Sequence, residues 1–433
     1  MSVKFKINKL GPITDSEFEF KPFMIFSGDS NLGKSYTAFL TYYLTNLITN
    51  NSNTTVKNFV KEKLDLTGIV EKINKGESAK LTISTKDLSR KINFDASQFL
   101  GYLIGHNSFE ADVEIILPIN NFNIEISKES HIKDTSEDLL LKQNKIKVRI
   151  DNESALSISD SALGDIGFLI SLLIQKFLVE KFLKKNLSFQ NIFLPPSRAA
   201  LIGANYSMIE QITASAGMYK EFIDDMQKIM APVPESFYPN KSIIGLFEEI
   251  LGGKVINEKG TLYYEFNEEI IPISAAASSI RELAPLFLLL NKTKPEDFSV
   301  LFEEPEAHIH PTLQIKVADM LCKLINDGAY FQVTTHSDYF LNQINNSINL
   351  FSLKTKLKDK FKDFCQENQL DENKTLDPKK LGAYYFKRRE DGTVEIKTQN
   401  VTDGIPFDTF EKSVDTIMRD SAIIENQLEE LLD

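Results

Sequence analysis

The sequence predicts an α/β fold in which a mixed sheet core carries an N-terminal antiparallel sheet and an inserted α+β or helical lobe. Three observations predict it. Short strand-like runs at 23–26, 192–194, 298–302 (apolar except for Ser299) and 330–334 alternate with helix-patterned segments, as parallel strands covered on both faces do. Polar residues capable of chemistry stand at the C-terminal ends of those runs, where α/β sheets place their sites. The first run leads directly into Gly28-Asp29-Ser30-Asn31-Leu32-Gly33-Lys34-Ser35, which fits G-x-x-x-x-G-K-[ST] in the strand, loop and helix context that this motif requires.

Ahead of the motif, Val3, Phe5 and Ile7 alternate with polar residues, Gly11-Pro12 makes a turn, and Phe18 and Phe20 alternate with Glu17 and Glu19. Two antiparallel strands therefore precede the strand at 23–26. In the loop, glycines at 28 and 33 let the backbone bend so that successive N–H groups and a helix N-terminus face an anion. Lys34 would reach the β/γ-phosphates of ATP, and Ser35 would ligate Mg²⁺. The nucleotide contacts expected from this stretch run from Gly28 through Asp29, Ser30, Asn31, Leu32, Gly33, Lys34 and Ser35 to Tyr36. Phe39, Leu40, Tyr43, Leu44, Leu47 and Ile48 then recur at helical spacing to about Asn50.

Residues 1–50 read as the first part of the nucleotide-binding core, the part that carries the loop. From 51 to 190 the pattern is irregular: a charged helix near 56–64, strands near 80–84, 111–118, 121–127 and 146–150, and a long apolar helix, 161–184, that closes an inserted arm or lobe. Residues 191–292 read as a helical lobe, with helices at 205–231 and 242–251, a hairpin-like pair at 262–266 and 270–273, and a helix starting near Ser279. Residues 293–405 return to alternating strand and helix, with Asp391-Gly392 as a type I′ hairpin signal between 384–387 and 393–397. Phe407, Phe410, Val414, Ile417 and Met418 mark an amphipathic C-terminal helix, 406–433, that docks or dimerises.

Composition narrows the setting. The 433 residues, 42% hydrophobic, suffice for two or three domains. The longest apolar stretch, Ile166 to Val179, is too short to span a bilayer, and MSVKFKINKL lacks the apolar region of a signal peptide. Cys322 and Cys365 stand far apart, giving neither a disulfide framework nor a metal site. A cytoplasmic protein without membrane contact is the expectation. The net charge of −12 argues against a globally basic nucleic-acid binder, although a local basic groove leaves nucleic acid as a candidate partner.

An ATP·Mg²⁺ site needs an acidic residue for the metal and a group that orients the attacking water. Glu303 and Glu304, directly after the apolar run 298–302, suit those roles in that order. Neighbouring residues at a strand end point in different directions, so one faces the metal and the other the γ-phosphate. His336, at the end of the next strand, is placed to donate to a phosphoryl oxygen or hold the water. His308 and His310 lack the further ligands of a zinc site and are expected to hold their loop and position Glu304.

The set FSGDSNLGKS, SVLFEEPEAHIHP and QVTTHS resembles the ABC-type ATPases of the RecF/SMC/OLD kind (AAA_15/AAA_21-like), similar to ATPase subunits of bacterial anti-phage systems. That resemblance implies a homodimer or higher homo-oligomer in which two heads sandwich ATP. A signature loop from the opposite head contacts the γ-phosphate; its matching residues here are Ala277, Ser278, Ser279, Ile280 and Arg281, with Ser278 and Ser279 as contacts across the dimer. Ile280 stands where the family has glycine, and Arg198 in PPSRA is a candidate phosphate contact. No Asp-x-Asp pair follows His336, so the resemblance implies no Toprim nuclease and assigns any cutting to a separately encoded effector, a nuclease or toxin. A DNA repair or chromosome-maintenance ATPase that grips DNA, or a weakly hydrolysing scaffold, are the alternatives.

Overall fold

Phe5, Ile7 and Leu10 are buried along β1 (Lys4–Leu10) while Lys4 and Lys6 face solvent. After Gly11-Pro12 the chain returns as β2 (Ile13–Glu19), antiparallel, with the Phe5 and Phe18 rings stacked 4.7 Å apart. β3 (Phe23–Gly28) is buried at every residue, as a strand covered on both faces must be. The computed structural model describes residues 2–50, 54–106, 108–133, 141–186, 188–202, 216–233, 237, 239–406 and 411–430. Residues 205–215 of the expected helix 205–231, together with Phe407 and Phe410, lie outside that set; Gly217–Met230 is helical.

Further strands are β4 (Ala79–Ser84), β5 (Ala111–Ile116), β6 (Asn121–Lys133), β7 (Leu141–Ile150), β8 (Ser154–Ser159), β9 (Gln190–Leu194), β10 (Lys254–Glu258), β11 (Thr261–Phe266), β12 (Glu269–Pro272), β13 (Phe298–Glu303), β14 (Tyr330–Thr335), β15 (Leu381–Arg388) and β16 (Val394–Gln399). Nine of them make one mixed sheet in the order β5-β1-β2-β16-β15-β3-β14-β13-β9. β15, β3, β14, β13 and β9 run parallel; β1 pairs antiparallel with β2 and β5, and β16 antiparallel with β15. The expected α/β class with an antiparallel N-terminal part is thus the observed one. Within 51–190, β5 extends the main sheet, whereas β4, β6, β7 and β8 form a sheet of their own.

The Lys34–Thr49 helix is buried on nearly all sides. Its polar residues are satisfied internally: Thr41 donates to Ala38 O at 2.7 Å, Thr45 to Tyr42 O at 3.0 Å, and Tyr43 to Ile92 O at 2.9 Å. A buried polar group without such a partner would cost about 1–3 kcal/mol. Gln175, from the apolar helix Ile166–Leu178, donates to Leu47 O at 2.9 Å and so ties that helix to the end of this one.

Three local readings are corrected. Thr85–Ile104 is a 20-residue helix that the sequence pattern does not announce. Its buried stripe of Leu88, Ile92, Ala96, Leu100 and Leu103, with Phe99 and Ile104 packed beside it, shares the helix with exposed Phe94 and Tyr102, which blur the helical period. The stretch 161–184 is not one continuous α-helix: a 3₁₀ segment, Asp160–Asp165, precedes Ile166–Leu178 and a π turn, Val179–Leu183, comes after it. The hairpin at Asp391-Gly392 exists, but only Gly392 has positive φ (85°). Gly392 N donates to Arg389 O at 3.1 Å, and Arg389 N to Thr393 O at 2.7 Å. This is a four-residue turn ending in a left-handed glycine, since a type I′ turn needs positive φ at both central positions.

In the C-terminal helix, Glu411–Glu430, Val414, Ile417, Met418, Ile423, Ile424 and Leu428 are each about half or more exposed. Nothing within the described chain buries them, so Ile417→Asp with Ile424→Asp is expected to change the free energy of unfolding in urea by no more than about 0.5 kcal/mol per site. A loss of several kcal/mol would mean that this face is covered in the folded protein.

Candidate nucleotide-binding site

Parallel pairing in register gathers the site. Glu303 lies opposite Thr334, and Thr335 opposite Ser27, so β13, β14 and β3 end at one level. Glu304, His336 and the Gly28–Ser35 loop each continue the chain from one of these strand ends and therefore converge on one edge of the sheet. Gly28 has φ 132°, and a Cβ there would lie 2.6 Å from Phe386 O on β15, so only glycine lets the loop leave between the strands. Gly33, at φ 89°, caps the Lys34–Thr49 helix and accepts from Thr37 N at 3.1 Å.

The result is a cleft of about 370 Å³ lined by Pro12, Ser30 to Tyr36, Glu304, Thr334 and His336. Lys34 bends back over its own loop, donating from Nζ to Gly28 O at 3.0 Å and Asp29 O at 2.7 Å. An ammonium has three protons, so one is left to face the cleft. Burial lowers the Lys34 pKa to about 8, against the opposing pull of Glu304, Asp29, Glu306 and Glu303.

Glu303 is fully buried, and burial raises its pKa to about 7 although the Ser35 hydroxyl donates to its carboxylate. Its Oε2 has no hydrogen-bond partner. A desolvated carboxylate oxygen whose lone pairs are free, beside a hydroxyl, fits a hard divalent cation such as Mg²⁺. Glu304 sits in the left-handed region at φ 46°, its N–H held by Thr334 O at 3.0 Å. Such a conformation costs a non-glycine residue about 1–2 kcal/mol and is found where geometry at a site demands it. Burial, and next the charge of Lys34, lower the His336 pKa, so at neutral pH the imidazole is uncharged and keeps one N–H donor.

Ser30 to Tyr36, Glu304 and His336 line the cleft; Gly28 and Glu303 do not, but each bonds a residue that does, Gly28 O accepting from Lys34 and the Glu303 carboxylate from Ser35. Asp29 contributes its carbonyl to Lys34, and the residue is itself exposed to solvent. Ser278 and Ser279 are not in the cleft: they open the Ser278–Leu290 helix elsewhere on the surface, without a side-chain cap. The expectation for Arg198 is corrected. It is completely buried, and its guanidinium is engaged by backbone carbonyls of Glu282, Pro195 and Glu303, so it does not reach a phosphate in the cleft. His308 bonds Glu282 and His310 caps the Pro311–Asn326 helix, so the ring bonds of both go to residues other than Glu304. No cluster of three His, Cys, Asp or Glu able to hold a metal occurs among the described residues.

Glu306 does not stand out in the sequence, where it is one acid among several in EEPEAHIHP. It accepts from His336 N at 2.6 Å and Thr335 Oγ1 at 2.9 Å, fixing the turn that presents the imidazole. Burial raises its pKa. No pattern of spacing separates such a buried acid from a surface one.

Residues 1–341 match the family model described as AAA ATPase domain. The chain belongs to this family, AAA_15. Among curated proteins no match was found. Among solved structures, this AAA ATPase domain protein is similar to an Smc head bound to the C-winged helix domain of ScpA, at 12% identity over 92% of this chain and 97% of that one, TM-score 0.37. It is also similar to the SMC head domain from Thermotoga maritima, at 11% identity over 92% and 98%, TM-score 0.30. These likenesses are loose; the P-loop ATPase fold rests on the family match and on the sheet described above. No helix among the described residues is long and apolar enough to cross a membrane.

Proposed function

We propose that this AAA ATPase domain protein binds and hydrolyses ATP with Mg²⁺, and that two copies closing around the nucleotide act as an ABC-type switch. The observation that carries the reading is the meeting of Lys34, Ser35, Glu303, Glu304 and His336 at the ends of three adjacent parallel strands. The loop N–H groups and the N-terminus of the Lys34–Thr49 helix receive the β- and γ-phosphates, and Lys34 supplies its remaining proton to them. Ser35 and Glu303 would hold Mg²⁺, which when bound neutralises phosphate charge. Glu304 orients the attacking water and accepts its proton, and the neutral His336 donates an N–H to the γ-phosphoryl group.

The trans half of the site comes from Ser278 and Ser279 of a second copy, aided by the partial positive charge of a helix N-terminus. Binding the γ-phosphate from two heads gives the closed form its differential affinity, which a switch requires. Light scattering tests this: Mg²⁺·ATP should double the mass of the nucleotide-free protein and Mg²⁺·ADP should not. A monomer under all conditions would sink the switch. Ile280, in the signature loop, favours a second reading in which turnover is slow and the closed form is an assembly platform; it predicts a dimer that persists for many minutes after ATP is supplied.

The resemblance of the three motifs to anti-phage ATPases supports a defence setting with a separately encoded effector, a nuclease or toxin. Protection against phage should then require this protein together with the product of an adjacent gene. Protection by either alone, or direct binding to DNA that falls with salt, would favour another setting.

Acid should weaken the site through Glu303. With a pKa near 7 in the nucleotide-free protein, the carboxyl holds a proton below that pH, and a metal ligand must give it up. Mg²⁺·ATP affinity is therefore expected to fall about tenfold per pH unit below pH 7, and Glu303→Gln should remove that dependence along with most Mg²⁺ affinity, both readable by calorimetry.

A further inference from the structure

Among the described residues, Arg198 is the buried cation that the nucleotide chemistry does not use. It is joined to β9, the neighbour of β13, through Pro195-Pro196-Ser197, and its guanidinium lies 4.5 Å from the centre of the Phe302 ring. Nη1 donates to Glu303 O at 2.8 Å and Pro195 O at 3.0 Å, and Nε to Glu282 O at 2.9 Å. Glu282 belongs to the Ser278–Leu290 helix, one turn below Ser278, so both residues lie on one helix face. Its carboxylate is also fully buried and takes His308 Nδ1 at 3.1 Å. A second tie joins the same two segments, from Arg281 Nη1 to Ala199 O at 3.2 Å.

We propose that Arg198 and Glu282 are a positioning pair that joins the N-terminal turn at Ser278 to the end of β13. Contact made at Ser278 by a nucleotide held on a partner head is then felt at Glu303 and Glu304 of this head. The proposal rests on the two-headed reading above. A guanidinium is a rigid fork, and this one grips three chain segments at once, so a shift of the Ser278–Leu290 helix must either move the Glu303 carbonyl or break a buried bond. The pair is also left incompletely matched. Nε and Glu282 Oε2 are 3.1 Å apart, yet Oε2 and Arg198 Nη2 each lack a hydrogen bond. Buried polar atoms favour an arrangement that pairs them, and a reset of the helix relative to Arg198 would supply one. The two ends are thereby coupled through an element with two arrangements, which is the physical requirement for communication between sites.

A double-mutant cycle on ATP hydrolysis by the full chain tests this, with Glu282→Gln, Ser278→Ala and the two combined. The unfolding midpoint and the ATP Kd are measured alongside. Each single change is expected to lower kcat about tenfold with ATP Kd held within about threefold, and the combination to cost no more than the larger single loss. Losses that multiply to about 100-fold would overturn the coupling, as would a Glu282→Gln kcat equal to the parent's. A merely structural pair would instead lower the midpoint and raise Kd with kcat unchanged. Should Glu282→Gln fail to fold, Arg198→Lys, which keeps the charge but loses the fork, carries the same comparison. Parental turnover by Ser278→Ala overturns the trans contact itself, and this proposal with it; multiplying losses leave the trans contact standing and remove only the coupling.

Discussion

Glu304→Gln is expected to bind ATP as the parent does, to hydrolyse it about 10²–10⁴ times more slowly, and to accumulate as a closed dimer. The loss equals about 3–5 kcal/mol on the barrier, the range for removing a group that takes a proton from the attacking water. Glutamine has nearly the same shape, so the left-handed backbone at 304 and the bonds that its N–H donates to Thr334 survive. The Lys34 ammonium loses the first of the four carboxylates that hold its proton, which makes a small change in Kd the expected side effect and leaves the large change to kcat. Single-turnover hydrolysis measured beside equilibrium binding separates the two. Hydrolysis at the parent rate would take Glu304 out of the reaction and leave Glu306 or His336 as the group to examine.

How far the sequence carries depends on whether a feature is local. Gly28 to Ser35 is legible because loop, strand and helix are contiguous and both glycines take positive φ, a demand of the loop's own backbone. The strand ends at Glu303 and His336 are legible for a related reason: short, largely apolar runs, broken only by Ser299 and by Gln332 and Thr334, announce buried parallel strands, and such strands carry chemistry at their C-terminal ends. That β3 lies between β14 and β15 is not legible, because strand order depends on pairings between residues far apart in the chain. Arg198 misleads for that same reason. In PPSRA it reads as a cation near a strand end, and only the three-dimensional arrangement shows it enclosed by the carbonyls of Pro195, Glu282 and Glu303. The helix Thr85–Ile104 is hidden for a different one, since apolar Phe94 and Tyr102 on its exposed face blur the period of the stripe that it buries.

Lys34→Ala should raise the ATP Kd about 10–100-fold, the equivalent of about 1.5–3 kcal/mol for hydrogen bonds from a charged donor. The pH dependence identifies the cause. In the nucleotide-free protein burial holds the Lys34 pKa to about 8, whereas polyphosphate binds the ammonium form and so raises that pKa. Binding must then take up a proton above pH 8, and parental affinity should fall about tenfold per unit above it until the pKa of the bound form is reached. Lys34→Ala has no such proton and should be flat over this limb while keeping the fall below pH 7 that belongs to Glu303. The stability of the nucleotide-free protein reads the same proton with opposite sign. A lysine whose folded pKa lies below its unfolded value leaves the unfolded chain with more protons bound, so the parent gains stability relative to the variant as pH rises from about 8 toward the ordinary lysine value. If parent and variant keep a constant stability difference across that interval, Lys34 is not buried as described, and the upper limb of the binding profile must come from another group.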